Sequence, residues 1–200
     1  MTTKTPMPAI ATIRLRCADP AAQSALYREV LGMRARAAGT VGYGAGPAGL
    51  LFEPARAPYA PSPRDLYWKI ALSVPDLDLA CRQLRARGGE VGTPNQVGDI
   101  AYLAHFRDPE GFTVELIDHW FQGDRPADAR DTDRLGGGPC LNLLTLRAAE
   151  IAPVEAAVAA MGMNRRSIVP APTLGCDLHF YAFTDEVPPN PDPRAIENRT

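Results

Sequence analysis

The sequence predicts an α+β chain built from a repeated strand–helix–strands unit, present twice in full and a third time in part. Three observations predict it. A strand-like run starts seven positions before an acidic residue in three places: Thr12 to Asp19, Lys69 to Asp76 and Leu143 to Glu150. A helix-length segment follows each acid and closes on glycine, at Gly32, Gly88-Gly89 and Gly162. The 200 residues, 46% hydrophobic and 22% charged, are enough to bury a core.

In the first unit, Ile13, Leu15 and Cys17 share one face of a strand, because side chains alternate along extended backbone. Asp19 caps a helix over Ala21–Leu31, with Pro20 at the first helical position, where its missing donor does no harm. Gly32 suits the left-handed end of that helix. Short strands are expected near Met33–Ala37 and Val41–Gly44, then over Gly49–Pro54, and the proline-rich Pro54–Pro63 leads on.

In the second unit, Ile70, Leu72 and Val74 share a face and a helix covers Leu77–Arg87. Strands follow over Glu90–Thr93, Ile100–Phe106 and Phe112–Asp118, the last two joined by the turn sequence Arg107-Asp-Pro-Glu-Gly111. Gln122–Pro139 is polar, ends in Gly136-Gly-Gly-Pro139 and reads as a flexible boundary. The third unit has its strand, a helix through Ala152–Met161 and one later strand at Leu178–Phe183, after which prolines leave no room for a closing strand. The domain reading is residues 1–121 as two modules (about 9–60 and 65–121), 122–139 as linker and 140–200 as an incomplete third module.

A net charge of −2 argues against coating nucleic acid or an anionic membrane, and no apolar run is long enough to span a bilayer. Four widely spaced cysteines without zinc spacing, and no apolar leader, predict a reduced, cytoplasmic protein. Gly42–Gly46 precedes a strand and lacks a phosphate-loop lysine, and there is no Gly-x-Ser-x-Gly elbow.

Alternation also sets aside a second strand face. Thr12, Arg14 and Arg16 lie on it in the first strand, Lys69, Ala71 and Ser73 in its repeat, and Leu51/Glu53 and Thr113/Glu115 in the closing strands. Leu51, Ala71 and Ile117 are not a solvent-loving set, so these charges read as the lining of a site.

The residues Leu15-Arg-Cys-Ala-Asp19, Ala25-Leu-Tyr-Arg-Glu-Val-Leu-Gly-Met33, Lys69-Ile-Ala-Leu-Ser-Val74 and Phe106-Arg-Asp-Pro-Glu-Gly-Phe-Thr-Val-Glu-Leu-Ile117 resemble the vicinal oxygen chelate superfamily from Ala11 to about Trp120. That superfamily holds glyoxalase I, extradiol dioxygenases and bleomycin resistance proteins. The resemblance implies paired βαβββ modules whose eight strands form a cupped mixed sheet with helices outside. In metal-using members the ligands come from the first and last strands, which carries over to Thr12, Lys69, Glu53 and Glu115. Here a hydroxyl and an ammonium stand at the first-strand places. A protonated lysine repels a cation, and two carboxylates alone do not fix a borderline metal. The usual metal site therefore reads as lost and no cofactor is expected. A divalent ion on Glu53, Glu115 and His105 is the alternative.

Tyr43 and His105 each lie ten residues before a closing-strand glutamate, the place of a catalytic tyrosine in ring-cleaving members. The reading assigns catalysis to His105, Glu115, Glu53 and Lys69, with Lys69 as counter-ion to both glutamates. Histidine is the side-chain type that titrates near neutrality and so suits proton transfer. Arg14, Tyr43 and Thr12 would meet the substrate, while His119 and His179 read as surface or packing residues. The implied functions are a metal-independent lyase or isomerase acting on a small anionic or oxygen-rich molecule, a sequestering protein without turnover, or a metal-dependent glyoxalase or dioxygenase. The expected partners are a small-molecule ligand and, given paired modules, a second copy of the chain.

Overall fold

The computed structural model describes residues 9–44, 48–97, 101–118 and 132–183. The first unit is β1 (Thr12–Cys17), α1 (Pro20–Glu29), β2 (Arg34–Ala35), β3 (Val41–Gly42) and β4 (Gly49–Pro54). The second is β5 (Tyr67–Val74), α2 (Leu77–Ala86), β6 (Asn95–Val97), β7 (Ala101–Arg107) and β8 (Thr113–Asp118). The third is β9 (Cys140–Leu146), α3 (Ile151–Ala160), β10 (Met163–Ala171) and β11 (Cys176–Phe183). The α+β class and the modular plan are those the sequence predicts.

The first two helices start as their sequences require. Asp19 and Asp76 accept from the backbone N–H groups of Ala22 and Leu79, a cap worth about 1 kcal/mol each. Gly32, Gly88 and Gly162 all have positive φ. In each complete module the first strand lies parallel to the last, giving sheet orders β1-β4-β3-β2 and β5-β8-β7-β6.

Four details differ from expectation. The first two modules do not share one sheet: β5 takes β9 on its free side, antiparallel, and among the described residues β1 pairs only with β4. The segment 90–93 makes only a bridge from Val91 to Phe106, and β6 begins after Pro94. The strand β10 was not legible, because Met163-Asn-Arg-Arg-Ser167 lacks apolar alternation and is extended by pairing with β11. Finally, the end of the glycine-rich boundary is docked. Leu135 is in the core, and Gly136 donates to the Gln83 side chain and accepts from the Asp76 N–H. A Cβ at Gly136 would run into Val74 and Ala80, so only glycine allows that approach.

One core joins the helix-side faces of both modules. Leu15, Cys17, Leu50 and Phe52 from the first sheet and Ile70, Leu72, Val114 and Leu116 from the second meet Tyr27, Leu31 and Leu84 of the helical layer. The Asp108–Gly111 turn fastens the modules to each other. The buried Asp108 carboxylate accepts from the Gln23 amide, from the Tyr27 hydroxyl at 2.9 Å and from the Phe112 N–H at 2.8 Å. Glu110 accepts from the N–H groups of Ala18 and Asp19, where β1 turns into α1. Burial pushes the Asp108 carboxyl up, against those hydrogen bonds.

The third unit is different. The apolar helix α3 buries none of its residues, and β10–β11 is a separate hairpin. No described helix is long and apolar enough to cross a membrane.

Candidate functional site

The site forms on the face of the second sheet that points away from the shared core. The parallel register of β5 and β8 sets Glu115 beside Ala71, one step along the face from Lys69, and the antiparallel register of β8 and β7 sets His105 directly opposite Glu115. Residues opposite each other or one step diagonal on a face are within side-chain reach. Lys69 Nζ donates to Glu115 Oε2, and His105 Nε2 lies 3.4 Å from the same oxygen. The Glu115 side chain is 5% exposed and that of Lys69 12%, whereas the imidazole is half-exposed.

Burial alone pushes the Glu115 carboxyl up, but the hydrogen bond from His105 and the charge of Lys69 outweigh it and hold the group below its ordinary value. A buried carboxylate and a buried ammonium are each costly to remove from water, and here each supplies the other's counter-charge. Around them Ala71, Ala101, Leu103 and Ile117 form a small buried apolar cluster, joined by Leu143 of β9.

The strand β9 adds residues that the sequence reading did not single out. Its register places Thr145 opposite Lys69. Arg147, one residue past β9, donates to the Tyr67 carbonyl, and its guanidinium lies 5.1 Å from the Trp68 ring centre, with Lys69 Nζ 4.8 Å from the same ring. The signal was present in the third repeat, but it becomes readable only once β9 is known to pair with β5.

Glu53 does not join this cluster. Its carboxylate is held by Arg14 at 3.3 Å and by Arg16 at 3.9 Å, on the outward face of β1 and β4, and no ion pair joins it to Lys69. The expected ion-pair cluster of Lys69 with both glutamates is thereby corrected. The reason is register. Counted from Lys69 and from Thr12, Glu115 stands beside the third residue of its repeat, Ala71, whereas Glu53 stands beside the fifth, Arg16. The counterpart of Glu115 is Leu51, which pairs with Arg14.

The same two-residue displacement explains Tyr43. Counting ten residues back from Glu53 lands on a side chain that points into the core, where the hydroxyl donates to the Leu31 carbonyl at 2.7 Å and burial pushes its pKa up. Tyr43 therefore does not line the site. Thr12 is exposed on β1, Arg14 is largely exposed, and His179 lies in β11. His119 falls outside the described residues. Among the described residues no three His, Cys, Asp or Glu side chains are grouped to hold a metal, so Glu53, Glu115 and His105 do not form a ligand set. A crevice of about 430 Å³ does exist, but Val30, Arg87, Phe106 and Pro109 line it, and neither Lys69 nor Glu115 does.

The sequence model of the Glyoxalase/Bleomycin resistance protein/Dioxygenase superfamily matches residues 9–116. No curated protein matches the chain by sequence. Among solved structures, a candidate dioxygenase from Bacillus subtilis subsp. subtilis is similar over 80% of this chain and 56% of its own, at 15% identity and a TM-score of 0.54. A lactoylglutathione lyase from Agrobacterium tumefaciens is 23% identical, over 60% of this chain and all of its own, with a TM-score of 0.43. TnmS3, an antibiotic binding protein from Streptomyces sp. CB03234, is 18% identical over 57% of this chain and 98% of its own, with a TM-score of 0.45. With two βαβββ modules, each closing its first strand against its last, and a family match over more than half its length, the chain belongs to the Glyoxalase/Bleomycin resistance protein/Dioxygenase superfamily.

Proposed function

We propose that the chain binds a small oxygen-rich or anionic molecule against Lys69 and His105 and moves a proton next to its carbonyl group, as a metal-independent lyase or isomerase does. The observation that carries this reading is the Glu115 carboxylate, held between an ammonium and an imidazole beside a small buried apolar cluster. With the Nε2 proton of His105 directed at Glu115, Nδ1 keeps its lone pair and is the base. The half-exposed ring can reach a ligand lying on the sheet. Lys69 has two further donors after serving Glu115, and these suit an enolate oxygen. In the step, the imidazole takes the proton α to the carbonyl, the electron pair moves onto the carbonyl oxygen, and the proton returns to the same or the neighbouring carbon.

The donor set does not fit the divalent ion that the family suggests. The Glu115 carboxylate already accepts from the Lys69 ammonium, which repels a cation, and Leu51, its counterpart in the first module, offers no donor atom. The cysteines form no disulfide with one another, which supports a reducing, cytoplasmic setting.

The test is binding of oxalate and inorganic phosphate by calorimetry, together with deuterium exchange at the α-carbon of dihydroxyacetone phosphate followed by NMR. The expected result is binding that weakens at least tenfold in Lys69→Met, and exchange abolished in His105→Gln with binding retained. A protein purified with stoichiometric divalent metal, or one whose binding ignores both variants, would overturn the reading. Binding without exchange would favour sequestration.

A further inference from the structure

The third unit lies outside residues 9–116, over which the family model matches, yet its first strand ends beside the site. The ladder between β5 and β9 slips by one residue there. Tyr67 stands opposite Leu146 and Lys69 opposite Thr145, so Trp68 is the extra residue of a bulge. Strict alternation would put Trp68 and Lys69 on opposite faces of the sheet, whereas a bulge re-aims the side chain it carries. Lys69 Nζ lies 4.8 Å from the centre of the Trp68 ring, and the Arg147 guanidinium carbon lies 5.1 Å from the same centre. One indole thus takes two cations, one from the second unit and one from the third.

The two cations differ in what neutralises them. Lys69 has Glu115. Arg147 is half-buried, and among the described residues no carboxylate forms an ion pair with it. Its Nη1 donates to the Tyr67 carbonyl at 2.9 Å, and its remaining side-chain N–H groups have no acceptor among the described residues. Ring and carbonyl together hold the guanidinium in place. A charge taken partly out of water without a counter-ion is costly. A guanidinium so held is suited to receive a carboxylate or phosphate through two parallel hydrogen bonds.

We infer that Arg147 receives an acid group of the ligand whose carbonyl oxygen meets Lys69. The inference rests on the reading of Lys69 and His105 as the face that handles the ligand, and it adds the substrate class: a carbonyl compound with a carboxylate or phosphate a short carbon chain away. The chain is short because both cations lie against one ring. The strand β9, which pairs with β5 and carries Arg147 just past its end, makes the third unit part of the site. Arg147 selects at the acid end, while Lys69 and His105 act at the carbonyl end. Removing Arg147 should thus cost acids their advantage and leave neutral carbonyl compounds untouched.

The test uses the full chain and two matched pairs of probes in ligand-observed NMR titrations: dihydroxyacetone phosphate against dihydroxyacetone, and levulinate against methyl propyl ketone. At least one acid is expected to bind at least tenfold more tightly than its neutral partner, the first pair reporting a phosphate and the second a carboxylate. Arg147→Gln is expected to erase that preference with less than a twofold change for the neutral compound. Arg147→Lys keeps the charge but not the fork, and is expected to weaken the acid several-fold while the neutral compound binds as before. Trp120→Phe leaves Trp68 as the sole tryptophan, and its emission is expected to change saturably with the acid, but not once Arg147→Gln is added. Acids that still outbind their neutral partners in Arg147→Gln, while Lys69→Met weakens all four probes, would overturn the role of Arg147 and leave that of Lys69 standing. A wild type that binds none of the four would overturn both.

Discussion

The first and second modules are two copies of one plan with opposite chemistry. In the second, Lys69, Glu115 and His105 converge, the first two buried and the imidazole half-exposed. In the first, the matching places hold Thr12, Leu51 and, one step beyond the short ladder of β3, Thr40, which donates to its own loop at Ala37. The first module keeps charge on the same face, but at Arg14, Arg16 and Glu53, two residues farther along and open to water. A strand repeat thus conserves which face a residue occupies more strictly than how far along the face it lies. The face follows from hydrophobic alternation, whereas the position depends on register, which the loops set.

The largest expected effect follows from burial. Glu115→Ala leaves the Lys69 ammonium buried without its counter-charge, and breaking such a pair costs about 3–5 kcal/mol. Glu53→Ala releases exposed arginines into water and is expected to cost less than about 1 kcal/mol. Urea unfolding of both variants measures the difference, and equal losses would mean that the two faces are alike. Acid gives the same contrast without a large truncation. The folded-state pKa of Glu115 lies below its ordinary 4.5, so its stabilisation is fully present above that value and is lost as pH falls through the folded value. The stability gap between wild type and Glu115→Gln should therefore hold from neutral pH down to about pH 5 and narrow as the pH falls below 4.5.

Much of this architecture was legible from residues alone. The acid seven positions into each repeat and the closing glycine located all three helices, and alternation placed Lys69 and Glu115 on one face. His105 was legible because it lies opposite Glu115 across a tight turn, a local relation that spacing preserves. What was not legible was non-local. Nothing in the string Cys140–Leu146 says that it will pair with β5 in place of the first module. The displacement that makes Leu51 the counterpart of Glu115 arises from the β1–β4 crossover, whose loops differ from those of the second module. Asp108 was read only as part of a turn, because its partners Gln23 and Tyr27 are more than eighty positions away.

That turn supplies the next effect in size and a way to ask whether the modules depend on each other. Asp108→Ala would leave the Tyr27 hydroxyl and the Gln23 amide buried without an acceptor, at about 1–3 kcal/mol for each orphaned group. Both belong to α1 and the carboxylate to the second module, so the loss should appear as weaker coupling between them. Amide hydrogen exchange is expected to speed up in α1 more than in α2. Equal acceleration would mean that the two modules unfold as one unit.

The smallest effect concerns the exposed cluster and separates surface charge from site chemistry. Glu53→Gln removes a carboxylate that sits near two guanidiniums and is 30% exposed. Exposed pairs contribute roughly 0.2–1 kcal/mol at low salt, and screening shrinks this as the Debye length falls to about 3 Å at 1 M. The difference in unfolding free energy between wild type and Glu53→Gln should therefore be small in dilute buffer and vanish in molar salt. The Glu115→Gln difference should persist, because its partners are shielded from mobile ions. A Glu53→Gln effect that survives high salt would mean that Arg14 and Glu53 are covered from solvent in the working protein.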